Sequence, residues 1–324
     1  MKILIIQTAF IGDVVLATPM AEALAQLDNA EVHFLVRKGN ENLLENNPFI
    51  DRVWIWNKQQ SKLRNLVRLG NEIRKEKFDC VINLQRFAST GFLTWRSGAT
   101  KRIGFEENPF SFCFSSKFKH EVNNGLHEVN RNLELLREFV PGDFPPRLFP
   151  SVKNFEKVAE FKSRPYVCVA PSSVWFTKQW PKENFIQLVS QLSKKYHVFL
   201  LGAKSDFVLC EEVIGTNVLQ STNLCGKLNF LESAALMRDA AMNFVNDSAP
   251  MHFASAMNAP TTAFFCSTTP DFGFGPLSER SRIVESIEAL ECRPCGLHGK
   301  KACPLGHFKC GDATSEQIEM LAIC

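Results

Sequence analysis

No stretch of this sequence stays apolar for the length that a membrane-spanning helix requires. It shows no secretory signal either, because the apolar N-terminal run is cut by Gly12-Asp13 and reads as a strand. No GxGxxG follows that strand, where Gly12 is the only glycine, and GxxxxGK[ST] is absent throughout. These absences argue against fingerprint-type binding of nicotinamide or flavin. The lack of a GxSxG elbow argues against a serine hydrolase. A formal net charge of +3 is too small to argue for a nucleic-acid partner. Tyrosine is scarce, at 2 against 28 phenylalanines, and this imbalance has no functional reading. What is left is a soluble globular protein expected in the cytoplasm, with 45% hydrophobic and 22% charged residues and a length that accommodates two ordinary domains.

The chain is organised around Lys2–Leu27. Ile3 to Ile6 is an apolar run rich in β-branched residues, which suits a strand buried on both faces. After a short loop, Val14, Leu16, Ala17, Met20, Ala21 and Leu24 recur at helical spacing. Strand, loop and helix make the opening unit of a parallel α/β sheet, and ligands of such sheets sit at the carboxyl ends of the strands. Asp13 therefore stands at a ligand-binding edge, either as a helix cap or as a functional carboxylate.

Further strands are expected at Glu31–Arg37, Arg52–Trp56, Phe78–Leu84 and Arg102–Phe105, with a short helix over Gly39–Asn46 and a long one from Ser61 to Lys75. Glu106–Lys119 reads as an irregular phenylalanine-rich stretch, and Leu126–Phe139 as a long helix. The cations of the Ser61–Lys75 helix have two explanations. The ordinary one is a solvated face, and the other is docking to an anionic membrane surface. Pro141, Pro145, Pro146 and Pro150 then stiffen a linker. A boundary within Pro141–Pro165 gives domains of 1–150 and 151–324.

Beyond the linker the alternation restarts. Strands are expected at Tyr166–Ala170, His197–Leu201, Met242–Val245 and Thr261–Cys266. Helices are expected from Pro181 to Lys195 and over Phe207–Ile214, Phe230–Asp239 and Ala249–Met257, with Pro181 in the first helical position. Two such sheets predict a pair of Rossmann-like domains facing a central cleft, where two substrates meet. The loops expected there bring Asp13; Ser172, Ser173, Thr177 and Lys178; Asp206; and Asn246, Asp247, Ser248 and His252. The passage from strand to helix at Asp247-Ser248 offers helix N–H groups to a phosphate, and Lys178 adds a full charge. Each residue also has an ordinary structural role open to it, and only their common location singles them out.

Four blocks taken together resemble glycosyltransferase family 9, the ADP-heptose:lipopolysaccharide heptosyltransferases. They are GDVVLATP, PSSVWFTKQWP, VNDSAPMHFASAMNAPTTAFF and CRPCGLHGKKACPLGHFKC, in the family's order. The resemblance implies a GT-B fold, a donor held mainly by the C-terminal domain and an acceptor held by the N-terminal one. It implies inversion in one displacement, no cofactor and no catalytic metal. Carried over residue by residue, it implies Asp13 as the general base and Lys178 on the donor phosphate. Ser172, Ser173, Thr177, Asp247, Ser248, Ala249 and His252 become donor contacts, with Asp206 as a looser match. Asp13 serves as a base if burial raises its pKa from about 3.9 toward the working pH.

The implied partners are ADP-heptose and a lipid-linked anionic glycan, with peripheral contact at the inner membrane and no nucleic acid. Transfer of another nucleotide sugar to a different surface glycan is one alternative, and a non-catalytic nucleotide-sugar-binding homologue is another. Cys292, Cys295, Cys303 and Cys310, with His298 and His307 nearby, are irregularly spaced and read as free thiols or disulfides of a structural tail, with a structural zinc site as the alternative. Isolated Cys80, Cys168 and Cys266, in apolar runs, read as buried thiols of a reducing compartment.

Overall fold

The computed structural model describes residues 1–58 and 62–322. The chain divides into two compact units, Met1–Phe149 and Pro150–Cys324. The first contains β1 (Lys2–Ile6), α1 (Ile11–Leu24), β2 (Glu31–Arg37), β3 (Arg52–Trp56), α2 (Lys62–Lys75), β4 (Cys80–Asn83), α3 (Ala88–Ser97), β5 (Lys101–Phe105), β6 (Ser116–Phe118) and α4 (Glu128–Glu134). The second contains α5 (Val152–Ala159), β7 (Tyr166–Ala170), α6 (Lys182–Leu192), β8 (His197–Leu200), α7 (Phe207–Ile214) and β9 (Ser221–Asn223). It continues with α8 (Phe230–Arg238), β10 (Asn243–Asn246), α9 (Ala249–Ala256), β11 (Thr261–Phe265), β12 (Ser281–Glu285) and α10 (Ser315–Leu321).

Both sheets are six-stranded and parallel, in the orders β3-β2-β1-β4-β5-β6 and β12-β11-β10-β7-β8-β9. Read from its own first strand, the second repeats the topology of the first. In each, the strand order reverses beside the opening strand, between β1 and β4 and between β7 and β10, and ligands of doubly wound sheets bind at such reversals. Ile3 to Ile6 are completely buried, as a central strand covered on both faces requires. Leu4 and Ile6 face a core built with Leu66, Leu69 and Ile73 of α2 and Leu93 of α3. In the second unit Val167 and Val169 pack with Phe185, Leu188, Phe244 and Phe264, and Trp180 stacks on Phe264 at 4.2 Å.

Several expected elements differ. The Gly39–Asn46 helix is a single 3-10 turn over Glu41–Leu44. The start of the helix expected at Ser61 lies outside the described residues. The long helix at Leu126–Phe139 shrinks to α4, capped by His127, whose Nδ1 accepts from the Val129 N–H. Pro181 is the N-cap of α6 and not its first helical residue. The phenylalanine-rich stretch is ordered, with a 3-10 turn at Ser111–Cys113 followed by edge strand β6. α3 had no helical signature, since Ser89, Thr90, Gly91 and Thr94 are weak helix formers. Tertiary packing supports it: Leu93 joins the core with Leu66, Leu69 and Ile73, and Gly91 leaves the room that Asn108 occupies. Strands β9 and β12 were equally silent: one is a three-residue polar segment, and the other an exposed edge.

Candidate functional site

In the second unit the chemistry collects where the sheet order reverses. β10 ends at Asn246, whose amide joins the two sides of the reversal. Its Oδ1 accepts from Trp180 N–H at 2.9 Å, and its Nδ2 donates to the Pro171 carbonyl at 2.8 Å. The loop after β7 is thereby fixed against the start of α9. On that loop Lys178 closes a 3-10 turn, Phe176–Lys178, and its Nζ lies 2.6 Å from Asp247 Oδ2. The same oxygen accepts from Thr268 Oγ1 at 2.7 Å. The side chains of Lys178 and Asp247 are only 15% and 7% exposed. Two charges this far out of water hold each other in a fixed geometry.

α9 begins beyond this pair. Asp247 N–H is spent on the Phe264 carbonyl, and Pro250 has no N–H to offer. Ser248 and Ala249 contribute the backbone N–H groups at the helix start that make no hydrogen bond among the described residues. A helix N-terminus with two such donors beside a lysine suits a phosphate-bearing ligand. His252, on the first turns of α9, is buried. Ser172 and Ser173 are half-buried on the loop after β7, where Gln179 Nε2 donates to the Ser173 carbonyl.

Two further expected donor contacts have side chains engaged in hydrogen bonds within the protein. Thr177 is 1% exposed and turned inward. Its Oγ1 accepts from Ser267 Oγ at 2.9 Å and from Lys300 N–H at 2.7 Å, and its N–H donates to the Lys300 carbonyl. With its hydroxyl so engaged, Thr177 holds its neighbour Lys178 in place. Asp206 turns back on its own loop, where its Oδ2 accepts from Ala203 N–H at 2.7 Å.

The tail completes the Lys178 loop, which the sequence did not reveal. Gly299, at φ +41°, passes over Lys178, and a Cβ there would meet Lys178 Cγ at 2.9 Å. Arg293 donates to the carbonyls of Cys266 and Thr268, at 2.6 and 2.7 Å, and pairs with Glu285. The CRPCGLHGKK block therefore acts as a strap. Cys292 Sγ lies 3.9 Å from His307 Nε2, and among the described residues no three His, Cys, Asp or Glu side chains form a metal-holding group. Cys310 is packed into the core of the second unit, where burial pushes its thiol up to about 11, and Cys295 Sγ donates to the Cys292 carbonyl. Cys80, Cys168 and Cys266 are free and buried, each pushed up by desolvation.

In the first unit Asp13 occupies the first turn of α1 at the carboxyl end of β1, half-buried. Its Oδ2 accepts from Phe10 N–H at 3.0 Å, so the capping role is real. Two cations that the sequence did not single out share this edge. Arg37 lies over the Phe10 ring at 5.0 Å; burial lowers its pKa and the Asp13 charge opposes that shift. Lys58 donates to the Thr8 carbonyl at 2.7 Å, and burial, reinforced by Arg37 and Lys62, pushes its pKa down to about 8. This edge suits an anionic ligand.

Two parallel doubly wound units place the chain in the GT-B class of glycosyltransferase folds. The structure of an ADP-heptose lipopolysaccharide heptosyltransferase II from Escherichia coli matches it with a TM-score of 0.78 at 21% identity, covering 91% of this chain and 96% of that one. A family 9 glycosyl transferase from Veillonella parvula matches with a TM-score of 0.79 at 21% identity, covering 87% and 85%. The sequence model of glycosyltransferase family 9 (heptosyltransferase) matches residues 66–306, and the chain belongs to that family. Relatives include lipopolysaccharide heptosyltransferase 3 of Escherichia coli K12, 27% identical over 79% of this chain and 80% of that one. Lipopolysaccharide heptosyltransferase 1 of Campylobacter coli is 23% identical over 88% and 90%.

Proposed function

We propose that this glycosyltransferase moves heptose from ADP-heptose to an acceptor in the inner core of lipopolysaccharide, with inversion at the anomeric carbon in one displacement. The observation that carries the reading is the Lys178–Asp247 pair at 2.6 Å beside the start of α9, at the strand reversal of the second sheet, in a family 9 chain. Lys178 and the N–H groups of Ser248 and Ala249 take the charge that develops on the departing diphosphate. Asp247, a carboxylate itself, serves the phosphate indirectly by fixing Lys178. Ser172, Ser173 and His252 complete the donor's surroundings, so residues 151–324 form the donor domain.

Residues 1–150 hold the acceptor, whose anionic groups pair with Arg37 and Lys58. Asp13 accepts the proton of the attacking hydroxyl as the new glycosidic bond forms and the bond to the diphosphate breaks, with ADP leaving with the electron pair. Asp13→Asn keeps the shape and removes the base. Calorimetry with ADP should give an unchanged affinity, while transfer falls by about 10²- to 10⁴-fold, the usual contribution of a general base. Full activity of the variant would remove Asp13 from the mechanism.

A further inference from the structure

The outer face of the first unit carries an apolar and cationic surface that the reaction does not use. α2 buries Leu66, Leu69, Gly70 and Ile73, and turns Leu63 and Val67, one turn apart, to solvent; Leu63 is 75% exposed. Between and beside them stand Arg64 and Arg68. The helix has five cations, Lys62, Arg64, Arg68, Arg74 and Lys75, against one anion, Glu72, while the whole chain amounts to +3. The Arg68–Glu72 pair, at 3.7 Å and exposed, offsets little of this.

α3 lies against α2. A Cβ on Gly70 would be 3.5 Å from the Phe92 ring, and the Arg96 guanidinium donates to Asn71 Oδ1 at 2.7 and 3.1 Å. The apolar surface continues from there as a run of rings. Phe92 neighbours Trp95 at 5.9 Å, Trp95 neighbours Phe110 at 6.5 Å, and Phe110 stacks on Phe112 at 5.7 Å. Phe112 ends the run 74% exposed.

This is a built platform and not a slack loop. Asn108 Nδ2 donates to the carbonyls of Gln85 and Phe87, Asn108 Oδ1 accepts from Phe110 N–H, and Arg102 Nε donates to the Cys113 carbonyl at 2.7 Å. Single exposed apolar side chains are ordinary, but a rigid row of rings beside a basic amphipathic helix is not. Aromatic rings favour the membrane interface, and lysine and arginine are drawn to anionic headgroups.

We infer that the face formed by α2, α3 and the Ser111–Cys113 turn docks on an anionic lipid bilayer. α2 and α3 both begin at the carboxyl edge of the sheet, the edge on which Asp13 stands, so docking presents that edge to a lipid-anchored acceptor. The inference rests on the proposed lipid-linked acceptor for its purpose, but not for its test.

The test is co-sedimentation of the full chain with vesicles of equal parts phosphatidylglycerol and phosphatidylcholine, against vesicles of phosphatidylcholine alone. Binding to the anionic vesicles, weakened by salt, is expected. Each cation near such a surface strengthens partitioning about fivefold, so the Arg64→Ala/Arg68→Ala variant should bind about twenty-five-fold more weakly. Leu63→Glu/Phe112→Glu should also lose binding. Melting curves and circular dichroism unchanged from the parent in both variants verify that the first unit folds. Equal binding to neutral vesicles, no binding to either kind, or binding unaffected by the substitutions would overturn the inference. Vesicle binding that follows these expectations in a chain that transfers no heptose from ADP-heptose to the lipid-linked acceptor would refute the transfer reading and leave the surface standing.

Discussion

Asp247→Asn separates two roles that a carboxylate beside a phosphate site can play. The substitution keeps the shape and leaves Lys178 Nζ, 2.6 Å away and 15% exposed, without its counter-charge. Removing one partner of a buried pair costs about 3–5 kcal/mol, and the partial exposure of Lys178 brings this to about 2–3 kcal/mol. A unit of this size loses about 2–4 °C per kcal/mol, so the unliganded protein should melt about 4–12 °C lower.

A diphosphate restores the missing negative charge, so Asp247→Asn should bind ADP at least as tightly as the parent and show the larger ADP-induced rise in Tm. Lys178→Met behaves in the opposite way. Losing a charge-assisted bond weakens ADP by about ten- to a hundredfold. The double variant removes the unpaired charge along with its cause, so it should regain much of the melting temperature of Asp247→Asn while ADP binding stays weak. Differential scanning fluorimetry and calorimetry read both quantities. Loss of ADP binding in Asp247→Asn with an unchanged Tm, or an affinity within twofold of the parent in Lys178→Met, would refute the assignment of Lys178 to the phosphate and Asp247 to Lys178.

Two further expectations concern residues away from the proposed chemistry. Thr177→Val leaves Ser267 Oγ and Lys300 N–H without their acceptor; about 1–3 kcal/mol of stability should be lost and ADP affinity should fall even though Thr177 faces away from the ligand, and an unchanged affinity would show that the strap does not position Lys178. Lys58, with its pKa near 8, loses its charge as pH rises through that value, so the acceptor KM should climb between pH 7 and 9 in the parent and stay flat in Lys58→Arg. A pH profile identical in the two would remove Lys58 from acceptor recognition.

Much of this protein was legible in one dimension because its local and global signals agree. An apolar β-branched run such as Ile3 to Ile6 is a buried parallel strand under almost any tertiary arrangement, and the positions of Asp13, Asp247 and Ser248 follow from strand passing to helix. The sequence also specified that Lys178 and Asp247 belong to loops at one edge of a sheet.

It did not specify that they touch, nor that Thr177, Ser267 and Lys300 meet to hold them. Those contacts join residues up to 123 positions apart, and no periodicity encodes such a separation. The tail's contacts were hidden for the same reason: its cysteine spacing left free thiols, disulfides and zinc open, and gave no sign that Gly299 and the Lys300 N–H meet the Lys178 loop. Gly91 of α3 leaves room for Asn108, a space visible only once both are placed. Local chemistry, carried by neighbouring residues, was fixed by sequence. Which hydroxyl turns inward, which carboxylate pairs and which rings reach solvent depended on packing among segments that meet only in the folded chain.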